Sequence, residues 1–258
     1  LVTNNELSIQ GGGAKGMYSL GIGYMNREGT LKNSGMERYT IRMNSSFSPT
    51  KHVTMGINSN INVMKTTGEQ GSQGDSSIFG QTYTTQTWIP AYNVAGDFAG
   101  TAITNSGRNA TPVASVQNAK NDWNRNARIN AAVFLEIKDP WLKGLTLKTQ
   151  FSTGLSGSWS ATMSERTNYW NKEGSSVNTF SESGSWSFNW QWTNTATYKV
   201  TIADAHDLTF MVGTEAIKEG IGRNISGSRT GYIFENDPNT LTLSNGATSN
   251  ISNSGGIG

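Results

Sequence analysis

Apolar and polar residues alternate with a period of two along residues 15–64. Because successive side chains of a β-strand point to opposite faces, each alternating run predicts a strand with one apolar and one polar face. The apolar positions of the three runs are Tyr18, Leu20, Ile22 and Tyr24, then Tyr39, Ile41, Met43 and Phe47, then Val53, Met55, Ile57, Ile61 and Val63. The sequence therefore predicts three strands of an amphipathic sheet here.

The same period of two returns in the rest of the chain. The further alternating runs are residues 6–12, 128–137, 145–155, 186–200 and 208–216. Together the runs predict about eight antiparallel strands in four hairpins with short turns, such as the Pro-containing reversal at 48–50. The connections between hairpins, at about 65–125, 156–184 and 218–258, are long and polar, and residues 112–124 are predicted to hold a helical turn.

This alternation of short and long connections separates two all-β architectures. In a soluble sandwich, short and long connections are not expected to be separated between the two ends of the strands. A transmembrane barrel has short turns at one end and long loops at the other. Trp and Tyr near predicted strand ends are typical of membrane-interface girdles. These aromatic residues are Tyr24, Tyr39, Trp141, Trp186, Trp190 and Tyr198. The pattern favours a transmembrane barrel, with a small free-standing barrel and a soluble adhesin-like protein that binds ligand through its loops as alternatives.

Composition excludes several classes of function. Among 258 residues only 15% are charged, 30 are Gly, 8 are Trp and none is Cys. The apolar residues are patterned rather than scarce, so the chain is not disordered, and without cysteine it has no disulfide framework. The net charge of +2 comes with no block of Lys or Arg, and we predict no binding to nucleic acid.

No set of residues converges on catalysis. His52 and His206 lie in predicted short turns far apart in sequence, and no HExxH motif or cluster of acids and histidines has metal-ligand spacing. The run GGGAKG at 11–16 lacks the Ser or Thr that follows Gly-Lys in a phosphate-binding loop. Asp75 and Asp97, in the first long segment, are interpreted as solvated acids, with calcium binding as the alternative. The sequence therefore predicts no enzyme, no cofactor and no metal site.

The ends of the chain favour a piece of a longer protein. The chain does not open on Met, and no signal-peptide pattern precedes the first strand. The last ten residues, SNISNSGGIG, are predicted to be part of a loop. We therefore expect residues 1–258 to be a fragment.

The segment GMYSLGIGYMNREGTLKNSGMERYTIRMNSSFSPTKHVTMGINSNI, residues 16–61, resembles a recurrent stretch of SusC/RagA-type TonB-linked outer-membrane proteins. Its core lies between Leu20 and Asn44. Further similar blocks follow in family order, so the resemblance covers most of the chain outside the three long segments. These blocks are residues 7–12, 111–114, 128–151 and 208–217.

The resemblance implies a partial TonB-dependent receptor barrel, about eight strands of a 22-stranded barrel with short periplasmic turns and long extracellular loops. It implies that the plug domain, the TonB-contacting segment and the closing strands are absent from residues 1–258. It further implies a multi-pass barrel in the lipid of a Gram-negative, Bacteroidetes-like outer membrane. Such proteins import oligosaccharides or peptides with a SusD-like lipoprotein and are driven by the TonB complex through the missing N-terminal part.

Two groups of candidate site residues follow from these predictions. Aromatic side chains in the long segments can pack on sugar rings, and the candidates for substrate binding are Trp88, Tyr92, Tyr169 and Trp170. Similar aromatic residues at Trp123, Tyr232 and Phe234 are interpreted as loop packing or as further members of this group. Strand parity predicts polar side chains that point into the lumen. These candidates are Arg38, Arg42, Asn58, Asn60, Arg128, Asn130 and Lys148.

Overall fold

The protein is described by a computed structural model. It describes residues 1–69, 78–85, 87–99, 112–164, 168–169, 172–173, 178–203, 205–231 and 248–257. Within them the main feature is a nine-stranded antiparallel sheet in the order β1-β2-β3-β4-β5-β6-β9-β10-β11. Neighbours in the sheet are neighbours in the chain, apart from the small β7–β8 pair between β6 and β9. This is the up-and-down connectivity of a barrel wall.

The nine strands of the large sheet are longer than those of ordinary soluble sheets, which favour five or six residues, whereas the two strands of the small pair have two residues each. Their bounds are β1 Val2–Gly13, β2 Gly16–Glu28, β3 Gly35–Thr50, β4 Val53–Thr67, β5 Trp123–Lys138, β6 Leu145–Ser164, β7 Asn168–Tyr169, β8 Lys172–Glu173, β9 Thr179–Ile202, β10 His206–Thr230 and β11 Thr248–Ile257. A tilted strand needs about 9–11 residues to cross a bilayer, so every strand of the large sheet is long enough.

The two ends of the sheet carry different connections. At one end, here called the short-turn end, β1–β2, β3–β4, β5–β6 and β9–β10 are joined by residues 14–15, 51–52, 139–144 and 203–205. At the opposite end, the long-loop end, β2–β3, β4–β5, β6–β9 and β10–β11 are joined by residues 29–34, 68–122, 165–178 and 231–247. The predicted sorting of short and long connections is thus confirmed.

The register gives the sheet two chemically distinct faces. An unbroken apolar row crosses the eight strands from β1 to β10 in the large sheet: Leu7, Ile22, Ile41, Ile61, Ile129, Leu155, Phe188 and Ile221. We call this side the apolar face and the other the polar face. Ile22 and Ile41 are 48% and 40% exposed although they lie in mid-strand. Soluble monomers rarely leave so large an apolar surface uncovered, whereas a barrel wall turns it to lipid.

The long-loop end carries the helices and a small core. The helices are α1 Ile78–Thr84 and α2 Pro112–Asn118, followed by a 3-10 turn at Ala119–Asn121. Ser115 of α2 donates a hydrogen bond from Oγ to Gln81 Oε1 of α1, at 2.8 Å. Nearby, Ala161, Met163 and Phe180 are buried together against Trp123. Among the described residues, no helix has both the length and the apolar character needed to cross a membrane.

Several boundaries differ from those predicted. The segments 156–184 and 218–258 were expected to be loops, but β6 continues to Ser164, β9 begins at Thr179 and β10 continues to Thr230. The predicted C-terminal loop is also wrong, because residues 248–257 form β11 and pair with β10. The large sheet therefore has nine described strands instead of about eight.

Three smaller differences concern turns. β3 runs through the predicted reversal to Thr50, and the turn lies at residues 51–52. His206 begins β10 and is not a turn residue. His52 is in its predicted turn, where its Nδ1 lies 3.0 Å from the carbonyl oxygen of Lys138. The predicted helical turn within 112–124 is confirmed as α2 and the 3-10 turn that follows it.

Candidate functional site

The polar face brings together the side chains that strand parity assigns to the lumen. Arg42 pairs in register with Asn60, and Asn60 pairs with Asn130. Because directly paired residues share a face, one row of the polar face crosses three strands. The other predicted positions, Arg38, Asn58, Arg128 and Lys148, lie an even number of residues from this row along their strands and so share its face.

The short-turn half of the polar face carries most of its charge. Arg42 Nη1 lies 3.3 Å from Glu6 Oε1, and Lys138 Nζ lies 3.3 Å from Glu136 Oε1. Lys148 Nζ lies 5.2 Å from the centre of the Phe134 ring, within the range of a cation–π interaction. These contacts give this half ionic groups that can pair with another charged protein surface.

The long-loop half of the polar face is different, because on β6, β9, β10 and β11 it consists of small uncharged polar residues and glycine. We call this surface the hydroxyl wall. Its members are Ser156, Ser158, Ser160, Thr162, Ser181, Ser183, Ser185, Ser187, Gly222, Asn224, Ser226, Ser228, Asn250, Ser252, Ser254 and Gly256. No member carries a charge, and each side chain except glycine offers both hydrogen-bond donors and acceptors.

Hydroxyl pairs connect neighbouring strands across this wall. The Oγ atoms of Ser156 and Ser187 lie 2.7 Å apart, and those of Ser160 and Ser183 lie 2.8 Å apart. A hydroxyl that shares one hydrogen with its neighbour keeps free lone pairs for a solute. The wall therefore remains able to bind a ligand while its strands are held in register.

Two concave regions lie along the hydroxyl wall. The larger has a volume of 780 Å³ and is lined by Arg128, Ser158, Ser185 and Asn224 among others. The smaller, of 340 Å³, lies nearer the long loops and is lined by Ser160, Ser183, Ser226 and Ser252. Both are within the size range of ligand pockets, which is about 300–1,000 Å³.

Sequence reasoning missed the hydroxyl wall although a signal for it exists. The tetrapeptide Gly-Ser-Trp-Ser occurs twice, at residues 157–160 and 184–187. In both copies Ser alternates with Gly and Trp, which is the period of a strand. The register places both copies on adjacent strands, with Ser158 opposite Ser185.

Three of the four predicted substrate-binding aromatics are described by the structure, and they lie at the long-loop end in separate segments. Trp88 and Tyr92 are 65% and 52% exposed in the loop before α2. The Tyr92 ring stacks on Phe98, with ring centroids 5.4 Å apart. Tyr169 lies in β7, with its backbone paired to Lys172 of β8. Trp170, like Asp75, Tyr232 and Phe234, lies outside the described residues, while Trp123 begins β5 and packs on the loop-end core.

Hydrogen bonds hold the loop that carries Tyr92 in a defined shape. Asn93 Oδ1 accepts from the backbone N–H groups of Ala95 and Asp97, each at 2.9 Å. The backbone N–H of Ala99 donates to the carbonyl oxygen of Ala91 at 3.1 Å. Asn93 and Asp97 thus serve loop geometry. Among the described residues, no group of three or more His, Cys, Asp or Glu side chains lies close enough together to hold a metal ion.

Asp122 links the long loop to the sheet. Its Oδ1 accepts a hydrogen bond from the backbone N–H of Met163 at 2.7 Å, and its carbonyl oxygen accepts one from Gly68 N–H at 2.8 Å. Burial raises the pKa of the Asp122 carboxyl above its ordinary value, the Met163 N–H lowers it, and the nearby charge of Glu69 raises it. The net increase in the pKa means that the Asp122 carboxyl holds its proton more tightly in the folded loop than in the unfolded chain.

Asp122→Asn is expected to leave the loop base as stable as in the wild type, or more stable, at neutral pH. Asparagine keeps an acceptor for Met163 N–H and carries no charge to bury, whereas Asp122→Ala leaves that N–H unpaired at a cost of about 1–3 kcal/mol. Because the folded pKa is raised, the wild type gains stability as pH falls through it and loses that gain as pH rises. Hydrogen exchange of the Met163 amide, followed as a function of pH, measures the stability of the two variants and the pH dependence of the wild type. Equal protection of the Asn and Ala variants at neutral pH would contradict this role.

The fold and the two-faced register define a class: a segment of a transmembrane barrel wall with a polar interior. No protein-family model matches the chain. The chain is 24% identical over 253 residues to TonB-dependent receptor P26 of Formosa agariphila. The aligned region covers 93% of this chain and 24% of that receptor. The chain thus spans about a quarter of the length of the curated relative that it matches.

Solved structures with the same fold include chains of the RagAB peptide importer. In its closed-closed state the match has a TM-score of 0.71 at 23% identity and covers 98% of this chain and 28% of that one. In its open-open state the TM-score is 0.73 at 22% identity, with the same coverage. These findings confirm the resemblance stated from the sequence. The chain is similar in sequence to a TonB-dependent receptor and in fold to chains of the RagAB importer, and its fold is that of a barrel segment.

Proposed function

We propose that the complete protein, of which residues 1–258 form part of the barrel, imports large nutrients across a Gram-negative outer membrane with energy from the TonB complex. The observation that carries this proposal is the two-faced sheet. It joins an apolar face with a polar face that carries the hydroxyl wall on β6, β9, β10 and β11. The plug domain and the TonB-contacting segment belong to other parts of the complete protein in this proposal.

The chemistry of the hydroxyl wall favours an oligosaccharide over a peptide as cargo. A neutral sugar offers many hydroxyls of similar strength, and each can exchange hydrogen bonds with Ser, Thr and Asn side chains. A peptide brings charged termini and side chains, which need ionic partners in a confined site. Among the described residues, Arg128 and Arg223 are the cations that line the larger concave region, and no acidic side chain lines it, so it offers no ionic partner to the ammonium groups of a peptide.

The cargo is tested with the complete protein in detergent. A mixture of neutral oligosaccharides and a tryptic peptide mixture are each passed over the immobilised protein, and mass spectrometry identifies what is retained. Selective retention of oligosaccharides supports the proposal. Retention of peptides alone would replace the sugar cargo by a peptide cargo, and retention of neither would contradict import of both classes.

We propose that a SusD-like lipoprotein covers the long-loop end. The observation that supports this partner is that the long connections lie together at one end of the sheet, with the exposed rings of Trp88 and Tyr92. Affinity purification of the complete protein from its native membrane is expected to bring down such a lipoprotein. Its absence from a purification that retains folded barrel would contradict this partner.

Truncating the loop aromatics is expected to weaken ligand binding. A stacked aromatic contributes about 0.5–1.5 kcal/mol beyond its buried area, so each substitution among Trp88→Ala, Tyr92→Ala, Tyr169→Ala and Trp170→Ala weakens the oligosaccharide Kd by up to about tenfold. Trp141→Ala is the matched control, because Trp141 is 77% exposed in a turn at the opposite end. Titration calorimetry on the folded complete protein measures Kd. Unchanged affinity in all four variants would exclude these rings from the site.

A further inference from the structure

Two cations occupy positions on the apolar face where that face reaches the long-loop end. Lys65 in β4 and Arg125 in β5 are direct partners in the sheet register. Both share the face of Val63, Ile61 and Ile129, since they lie an even number of residues from them along the same strands. They therefore project from the outer side of the barrel wall, next to the apolar surface, and not into the polar interior.

Neither of these two charges forms an ion pair with the described part of the protein. Directly opposed residues on one face have Cβ atoms about 4.5–5.5 Å apart, and like charges in that position repel each other. The described residues offer neither side chain an ion-pair partner within 4.0 Å, although Glu37 is the register partner of Lys65 on its other side. An anion placed between Lys65 and Arg125 would remove this repulsion.

Two tryptophan side chains neighbour Arg125 of the cation pair. The guanidinium carbon of Arg125 lies 5.1 Å from the centre of the Trp123 ring, which fixes the direction of the side chain. Trp159 is the register partner of Arg125 on β6, and its indole Nε1 donates to Glu182 Oε1 at 2.9 Å. Tryptophan side chains that border an apolar band and form polar contacts are typical of the headgroup region of a membrane. The cation pair therefore lies where the headgroup of a lipid meets its acyl chains.

We propose that Lys65 and Arg125 form a binding site for the phosphate group of a membrane lipid in the leaflet at the long-loop end. The guanidinium offers paired N–H donors that match phosphate oxygens, and the ammonium adds a second positive charge. The acyl chains lie along Val63, Ile61 and Ile129. A free phosphate ion would gain the charge contacts but not this apolar surface, so the site favours the lipid. This site rests on the proposed membrane location and does not depend on what is imported.

Native mass spectrometry of the folded complete protein tests the site. The probes are lipid A with its phosphates, lipid A with the phosphates removed, and inorganic phosphate. The wild type is expected to retain phosphorylated lipid A in preference to the dephosphorylated form. Since one cation near an anionic lipid surface changes affinity by about fivefold, Lys65→Gln with Arg125→Gln is expected to weaken binding by about 25-fold. Arg38→Gln with Arg128→Gln, which removes two charges from the polar face, is expected to leave lipid binding unchanged.

Three outcomes would overturn the lipid site: equal binding of both forms of lipid A, unchanged binding in the Lys65/Arg125 variant, or an equal loss in the Arg38/Arg128 variant. Displacement of the lipid by inorganic phosphate at equal concentration would reduce the site to one for free phosphate. Heat-dependent gel mobility establishes folding of each variant before the measurement. A wild type that is absent from outer-membrane fractions would contradict the proposed function, whereas an inserted wild type that binds no lipid would contradict this site alone.

Discussion

Ile41→Arg is expected to prevent most of the complete protein from assembling, whereas Arg42→Ile is expected to assemble nearly as well as the wild type. Ile41 belongs to the apolar row and lies in mid-strand, paired with Ile22 and Ile61. A charged side chain on the lipid face costs about 2–4 kcal/mol near the bilayer midplane. That is a large part of the stability of a typical folded protein.

The matched substitution at the next residue removes a charge instead of adding one. Arg42 lies on the polar face and pairs with Glu6 at 3.3 Å, with side chains 58% and 57% exposed. An exposed ion pair contributes about 0–1 kcal/mol. Arg42→Ile therefore leaves assembly almost unchanged. The fraction of heat-modifiable barrel in outer membranes measures both variants, and equal loss in the two would mean that the faces of β3 have been assigned wrongly.

The face assignment is the part of the fold that sequence predicts best. In β3 and β4 aliphatic and polar residues alternate strictly, and a shift of one residue would move Ile41 and Ile61 to the wrong side. The sorted connections also follow from sequence, because turns as short as residues 51–52 leave room only for antiparallel neighbours. Over residues 16–67 the alternating pattern and the turn lengths therefore predict the observed strand order and faces without knowledge of tertiary contacts.

The ends of the later strands could not be predicted in the same way. In β6 beyond Leu155 the apolar face is formed by Gly157, Trp159, Ala161 and Met163, so the contrast between the faces is weak. β11 contains Asn, Ser and Gly on both faces and resembles a loop in composition. Its strand conformation comes from backbone hydrogen bonds to β10, which are contacts between distant residues and not a local preference.

The candidate site was only partly accessible from sequence for the same reason. Parity placed Arg42, Asn60 and Asn130 on one face, because each lies within a strongly alternating run. The hydroxyl wall arises only when β6, β9, β10 and β11 are aligned, since no single strand shows a surface four strands wide. Asp122 gave no signal either, because its burial and its bond to Met163 depend on the loop folding back onto β6.

Gly144→Ala is expected to destabilise the barrel by about 3 kcal/mol, because two independent costs add at this position. Gly144 has a φ of +87°, a conformation that residues with a Cβ rarely adopt. A Cβ on this residue would also overlap the carbonyl oxygen of Lys199 in β9. The neighbouring strands cannot easily move apart, because Lys199 N–H donates to the Gly144 carbonyl oxygen at 2.9 Å and Gly144 N–H donates to Asp139 Oδ1 at 2.6 Å.

Gly157→Ala is the control, since it makes the same chemical change in the strand that follows this turn. A Cβ at Gly157 would lie 3.8 Å from the carbonyl oxygen of Ser185, which is an ordinary contact, and its φ is not positive. The substitution also restricts the unfolded chain, so stability is expected to stay equal or to rise by up to about 1 kcal/mol. Urea unfolding of both variants in detergent micelles gives the two free energies. A similar loss in both would show that adding any side chain at a glycine of this strand is harmful, and that the turn at residues 139–144 has no special role in holding β6 to β9.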